Sequence, residues 1–120
     1  MGNLSKNMDA SEWICHDGCG QLIIKEKLVN MMQAFRDRIG SPLTIHCVNR
    51  CKNYNVDVGG EETSLHLTGD ACDFHAPKLK TKELHAIALS SEDILTGGIG
   101  LYDTFLHVDI GRKRLWDNRT

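Results

Sequence analysis

No stretch of this sequence approaches the roughly 18 consecutive apolar residues that a membrane-spanning helix needs, so no membrane partner is expected. The opening Met-Gly-Asn-Leu-Ser-Lys also lacks the apolar stretch that drives secretion. A myristoylation pattern at Gly2 fails because Lys6 stands where Ser or Thr is wanted. The expectation is a product that stays in the cytoplasm of its producing cell until something else releases or exports it. Charge of one sign is scarce as well. A formal net charge of -2 supplies no field to gather a polyanion, which sets nucleic acid aside as a partner. The basic cluster Arg112-Lys113-Arg114 reads as a solvated edge. Low-complexity segments are missing, and 41% hydrophobic with 25% charged residues is the balance of a folded globular chain rather than a disordered one. At 120 residues there is room for one core, and a monomer with one site is expected.

An even cysteine count is also lacking. Cys15, Cys19, Cys47, Cys51 and Cys72 leave at least one thiol outside any intramolecular disulfide. Without an export signal, reduced thiols are the default. The spacings Cys15-x-x-x-Cys19 and Cys47-x-x-x-Cys51 allow a four-thiolate structural metal site, although single matches of this kind are common. Buried or free thiols are the ordinary reading, with a disulfide and a second metal as alternatives. His16, His46 and His85 need no role beyond that of surface or hydrogen-bonded residues.

What is present is clear periodicity. Residues 1–12 are polar without a period and read as a loosely held arm, leaving 13–120 as the folded domain. From Lys25 to Ile39, Leu28, Met31, Met32, Phe35 and Ile39 recur at spacings of three and four, which predicts an amphipathic helix stopped by Gly40. Leu43 to Val48 reads as a strand, and Asn49 to Glu62 as a polar loop with a sharp turn at Gly59-Gly60. Ala71 to His75 alternates, with Cys72 and Phe74 on one face and Ala71, Asp73 and His75 on the other. Thr81 can cap a second helix through Leu89, with Leu84, Ile87 and Ala88 turned inward. Ile99 to Tyr102 and Phe105 to Ile110 read as strands, the latter with Phe105, His107 and Asp109 on one face. Together these predict an α+β fold, an antiparallel sheet with helices packed on one face.

A catalytic zinc takes about three ligands from His, Asp, Glu or Cys and keeps a position for water. His66 precedes the bend Leu67-Thr68-Gly69-Asp70, Asp73 lies on the strand after it, and His107 sits on the polar face of another strand. A hairpin-like bend brings the first two to one point, and strand pairing can add the third.

These residues also resemble a known family. Ser64-Leu65-His66-Leu67-Thr68-Gly69-Asp70-Ala71-Cys72-Asp73 is similar to the S-x-H-x-x-G-x-A-x-D signature of the zinc D-alanyl-D-alanine carboxypeptidase superfamily, which includes murein endopeptidases and the hedgehog fold. Tyr102 to Gly111, with Phe105-Leu106-His107-Val108-Asp109, resembles its second signature, followed by Trp116. Arg50, Asn55 and Gly59-Gly60 resemble an earlier segment, and Cys15-His16-Asp17-Gly18-Cys19-Gly20 a stretch found in some members. The resemblance implies a zinc peptidase domain over 13–120 with one catalytic Zn2+ on His66, Asp73 and His107. It implies a substrate site that includes Arg50, Ser64 and Tyr102. Arg50 would steady a substrate carboxylate or the oxyanion, or else only brace its loop through an acid such as Asp57.

Two departures matter. Where carboxypeptidase-type members carry Glu three residues before the last histidine ligand, this chain has Thr104. A base is still needed, and Asp109 is the expected one, ahead of Asp103 and His75, unless it only orients His107. Relatives often have Ser-Gly-Tyr before the arginine, and this chain has Cys47-Val48-Asn49. The implied function is cleavage of D-amino-acid-containing stem or cross-link peptides of peptidoglycan, as carboxypeptidase or endopeptidase, in the manner of a phage lysin. The alternative is a zinc-stabilised binding module, for cell wall or protein, without catalysis.

Overall fold

The computed structural model describes residues 4–119, apart from the side chain of Asp93. Gly2 and the start of the expected arm lie outside the described residues. The rest of that arm is packed rather than loose. Met8 is buried, Ser5 Oγ donates to Gln33 Oε1 at 2.7 Å, and the Asn7 N–H donates to the same oxygen. A short helix α1 (Ala10–Trp13) follows, with the Asp9 carboxylate capping the Ser11 N–H and Trp13 fully buried. Two large apolar side chains, Met8 and Trp13, anchor a segment that shows no period.

Helix α2 (Glu26–Ile39) matches the expected amphipathic stretch. It buries Leu28, Met31, Met32 and Phe35 and ends at Gly40, whose left-handed φ of 70° lets its N–H reach the Arg36 carbonyl. Strand β1 (Thr44–Cys47) leads into the segment read as a loop, which holds instead a helix α3 (Lys52–Asp57) with the Cys51 sulfur accepting from the Tyr54 N–H at its start. Only Asn55 of α3 is buried, and Val56 stays 72% exposed, so no apolar stripe could announce it. A single 3-10 turn, Leu65–Thr68, precedes β2 (Ala71–His75). Helix α4 (Thr81–Leu89) begins one residue earlier than expected, since Lys80 is the cap and its N–H donates to Glu83 Oε1 at 2.9 Å. The short α5 (Glu92–Leu95) leads to β3 (Gly98–Leu101), β4 (Leu106–Asp109) and β5 (Arg114–Asp117).

The sheet runs β1-β2-β4-β3-β5. It is antiparallel except at its edge, where β5 lies parallel to β3, so the sheet is mixed and not wholly antiparallel as expected. Strand β5 escapes periodicity because its four residues alternate only between half-buried and exposed, like a polar tail. One face of the sheet presents Cys72, Phe74, Ile99, Leu101, Leu106 and Val108 to a core shared with α2, α4 and α5. Phe35 meets Phe74 edge-on at 5.7 Å between ring centroids. The other face carries Asp73, His107, Gly100 and Trp116 in one cross-strand row.

Because Phe35 joins α2 to the sheet from a fully packed position, Phe35→Ala is expected to cost about 3–5 kcal/mol. Urea unfolding should show a lower midpoint with an unchanged slope. Val56→Ser, on the exposed side of α3, should stay within about 0.5 kcal/mol of wild type in the same experiment.

Candidate metal centre

The register of β2 on β4 sets Asp73 directly opposite His107, and their side chains meet at 2.9 Å between Oδ1 and Nδ1. His66 joins them from the 3-10 turn. Ser64 Oγ caps that turn by accepting the His66 N–H, and Gly69 ends it with a φ of 70° while lying so close to the Ile23 carbonyl that a Cβ would collide. His66 Nδ1 faces the Val48 carbonyl at 3.0 Å, an acceptor only, so the neutral ring keeps its proton on Nδ1 and turns Nε2 inward. Nε2 comes within 3.2 Å of Asp73 Oδ2 yet is buried without a hydrogen bond.

Behind His107 stands Asp109, fully buried, with its Oδ2 at 2.8 Å from Nε2. Arg114 grips the same carboxylate through Nη2 at 2.8 Å and Nη1 at 3.2 Å, and the N–H groups of Gly98 and Gly111 both donate to Oδ1. Asp109 is therefore saturated with donors. Burial alone would raise its pKa, but His107, Arg114 and the Gly98 N–H together hold it well below the usual carboxylate range. The structure thus places the expected base behind His107 and leaves it little basicity. Arg114, read as part of a solvated edge, is in fact the clamp of this carboxylate, and its guanidinium lies 5.2 Å from the Trp116 ring centroid.

Electrostatics point to a cation. His107 lies between two carboxylates, and a neutral imidazole can donate to only one of them. Burial disfavours its charged form, but the Asp109 and Asp73 carboxylates outweigh that and raise its pKa. For His66, burial is likewise opposed by Asp73 and by the Cys47 sulfur, which push its pKa up to about 10. Asp73 is raised by burial and lowered more strongly by His107 and His66, ending well below the ordinary range. A divalent ion would take the place of these protons. One donor atom each from His66, Asp73 and His107 lies within 4.8 Å of the others, a set that could hold a metal ion. The orphaned Nε2 of His66 and the doubly flanked His107 fit that group.

An open cleft lies over these donors, with Arg50, Glu61, Ser64, Tyr102 and Trp116 among its walls. Arg50 sends Nη2 to within 3.9 Å of Asp73 Oδ2 and of Cys47 Sγ at 3.7 Å, while Nη1 donates to Asn55 Oδ1 at 3.0 Å. Its brace is thus Asn55 and not Asp57. Gly60 packs against that pair so closely that a Cβ would strike Asn55 Oδ1. Tyr102 stacks on Phe105 at 4.5 Å and accepts from Trp116 Nε1. Cys47 reaches this region because a bulge between Ile45 and Cys47 turns it opposite Asp73. Asn49 is no wall of the cleft but a buried hub, donating through Nδ2 to the Trp13 and Ile23 carbonyls and accepting from the Ile23 N–H. Of the weaker base candidates, Asp103 is exposed, and His75 pairs with His46 at 2.6 Å. Neither lines the cleft. Glu61 does, and among the described residues it and Asp73 are the cleft's carboxylates. Glu61 sits in a polar run without a motif of its own, so nothing in the sequence singles it out.

Among known proteins, residues 4–109 match the family model described as Peptidase M15. No curated protein matches the chain.

The pKa directions carry a testable sign. The proton on His66, whose pKa rises from 6.5 to about 10, stabilises the chelated protein fully below pH 6.5, and this contribution fades as pH climbs through 10. The melting temperature with chelator should therefore fall between pH 7 and 10, whereas saturating zinc should flatten that fall and release protons on binding at pH 7. A chelated protein with no loss of stability over that range would contradict the assignment.

Proposed function

Because the chain belongs to the peptidase M15 family, whose members are zinc enzymes of the zinc D-Ala-D-Ala carboxypeptidase superfamily, we propose that it hydrolyses D-amino-acid-containing peptide bonds of bacterial peptidoglycan with one zinc held by His66, Asp73 and His107. The convergence of those three side chains beneath an open cleft that also contains Arg50 is the observation that carries this reading. Zinc bound to such a set supplies Lewis acidity and a water of lowered pKa.

The chain's own residues then divide the remaining work. The Val48 carbonyl and Asp109 each fix a histidine tautomer, so that His66 Nε2 and His107 Nδ1 present lone pairs to the same point. In this reading Asp109 is a positioning residue, since its oxygens are already taken by Arg114, Gly98, Gly111 and His107. Arg50 carries a fixed positive charge beside Asp73, where it can hold an anionic oxygen of the substrate, either a terminal carboxylate or the oxygen that gains charge during attack. Glu61 is the cleft carboxylate free of ligand duty, and it takes the proton from the attacking water and passes it to the leaving amine. Ser64 holds the His66 turn while facing the cleft, and the stacked Tyr102–Phe105 pair forms an apolar wall for the peptide stem. Release at cell lysis, as for a phage lysin, would bring the protein to this substrate.

Purified sacculi digested with the zinc-loaded protein should yield new muropeptides by mass spectrometry, and His66→Ala should yield none. Sacculi left unchanged by the fully loaded protein would overturn the proposal. Glu61→Gln should lower kcat by about 10²–10⁴-fold with zinc content unchanged. Asp109→Asn should instead weaken zinc affinity by about 10–100-fold. Synthetic stem peptides ending in a free carboxylate or in an amide separate the two actions: strong preference for the carboxylate, lost in Arg50→Ala, marks a carboxypeptidase, and indifference an endopeptidase.

A further inference from the structure

On the outer side of the α3 start, four side chains with no part in the proposed hydrolysis converge. Cys15, Asp17, Cys19 and Cys51 each offer one donor atom, and all four atoms lie within 4.8 Å of one another. Cysteine spacing alone pointed to Cys47 as the fourth member. The strand bulge instead turns Cys47 opposite Asp73, and Asp17 joins the three sulfurs.

The arrangement has the marks of a closed metal site. A metal–sulfur distance of about 2.3 Å puts tetrahedral thiolates roughly 3.8 Å apart, a spacing the cluster accommodates. Every sulfur also accepts a backbone N–H: Cys51 N–H to Cys15 Sγ at 3.3 Å, Gln21 N–H to Cys19 Sγ at 3.5 Å, and Tyr54 N–H to Cys51 Sγ at 3.4 Å. Donors of this kind stabilise sulfur in its anionic form and orient it, as the outer partners of metal ligands do. Asp17 is oriented in the same way. Its Oδ1 accepts the Cys19 N–H at 2.9 Å, and the Cys15 and Cys51 thiols approach its two oxygens at 3.2 and 2.9 Å. A disulfide would use two of the three sulfurs and leave the third sulfur and the carboxylate without purpose.

We infer that Cys15, Asp17, Cys19 and Cys51 form a second, structural site for a divalent metal. Three thiolates and a carboxylate select a soft-tolerant tetrahedral ion such as zinc over magnesium or calcium, and four protein donors leave no open position for chemistry. Its effect is mechanical. Metal there staples the loop 15–21 to the first turn of α3, next to Arg50. Gln21 of that loop already donates to the Arg50 carbonyl at 3.4 Å and to the Leu67 carbonyl at 3.1 Å, bridging the two segments that deliver Arg50 and His66 to the cleft.

The test needs no peptidase activity and is therefore separable from the hydrolase reading. Full-length protein purified under reducing conditions should hold two zinc ions per chain, falling to one in either His66→Ala or Cys51→Ser. Cobalt(II) substitution tells the sites apart, because thiolate-to-cobalt charge transfer in the near ultraviolet cannot arise from His66, Asp73 and His107. That band should persist in His66→Ala and vanish in Cys51→Ser. Should Cys51→Ser fail to fold, His66→Ala decides alone, since its remaining cobalt either shows the thiolate band or does not. Absence of the band in wild type, or an intact mass showing a disulfide among these thiols in freshly reduced protein, would overturn the inference.

Discussion

The contact between Asp73 and His107 is the constraint around which this protein is arranged. The two residues face each other across β2 and β4 at 2.9 Å, both largely withdrawn from water. A carboxylate in such a place is costly unless compensated. Compensation comes from several directions: His107 itself, His66 at 3.2 Å and Arg50 at 3.9 Å. The pairing also depends on the core. Shifting β2 by one residue would turn Phe74 and Cys72 away from α2 and send Asp73 into the apolar layer. Core packing and site geometry are thus two results of one register.

A second layer of polar groups makes the first one specific. Asp109, one turn of the pleat beyond His107, is held by Arg114 from β5 and by two backbone N–H groups, so His107 has a single favoured tautomer. The edge strand β5 therefore serves the site as well as the sheet, since it supplies both the Arg114 clamp and the Trp116 ring beside His107 at 5.2 Å. On the opposite flank, Asn49 ties Trp13 and Ile23 to the segment that ends in Arg50. The N-terminal region and the last strand thus fix the orientation of residues that meet Asp73.

This organisation suits the chemistry of the peptidase M15 family, to which the chain belongs. Preorganised donors cost nothing to reorient when charge develops, and a site built on strands is stiffer than one on free loops. Of the three converging residues, His66 comes from outside the sheet, and it is secured by a serine cap, a left-handed glycine and a backbone acceptor. The cysteine cluster at the head of α3 extends the same logic to Arg50, whose neighbour Cys51 is also the helix cap.

Alternation along 71–75 and 105–110 and the three-four spacing of 28–39 were sufficient to read two strands, one helix and the polar face bearing Asp73 and His107, because local periodicity reports which side of an element is buried. Helix α3 and strand β5 were not legible, since neither buries an apolar stripe. Which carboxylate is tied up behind His107 and which faces the cleft is equally hidden: Asp109 and Glu61 look alike in a list of residues, and only the approach of Arg114 and the turn at Gly60 distinguish them. The same holds for Cys47, which a bulge in β1 turns opposite Asp73, and for Asp17, which stands among Cys15, Cys19 and Cys51. The one-dimensional pattern determined the types of the three donor residues and the sheet face that Asp73 and His107 share. The tertiary structure decided their partners, because hydrogen-bond saturation and access to solvent depend on segments distant in the chain.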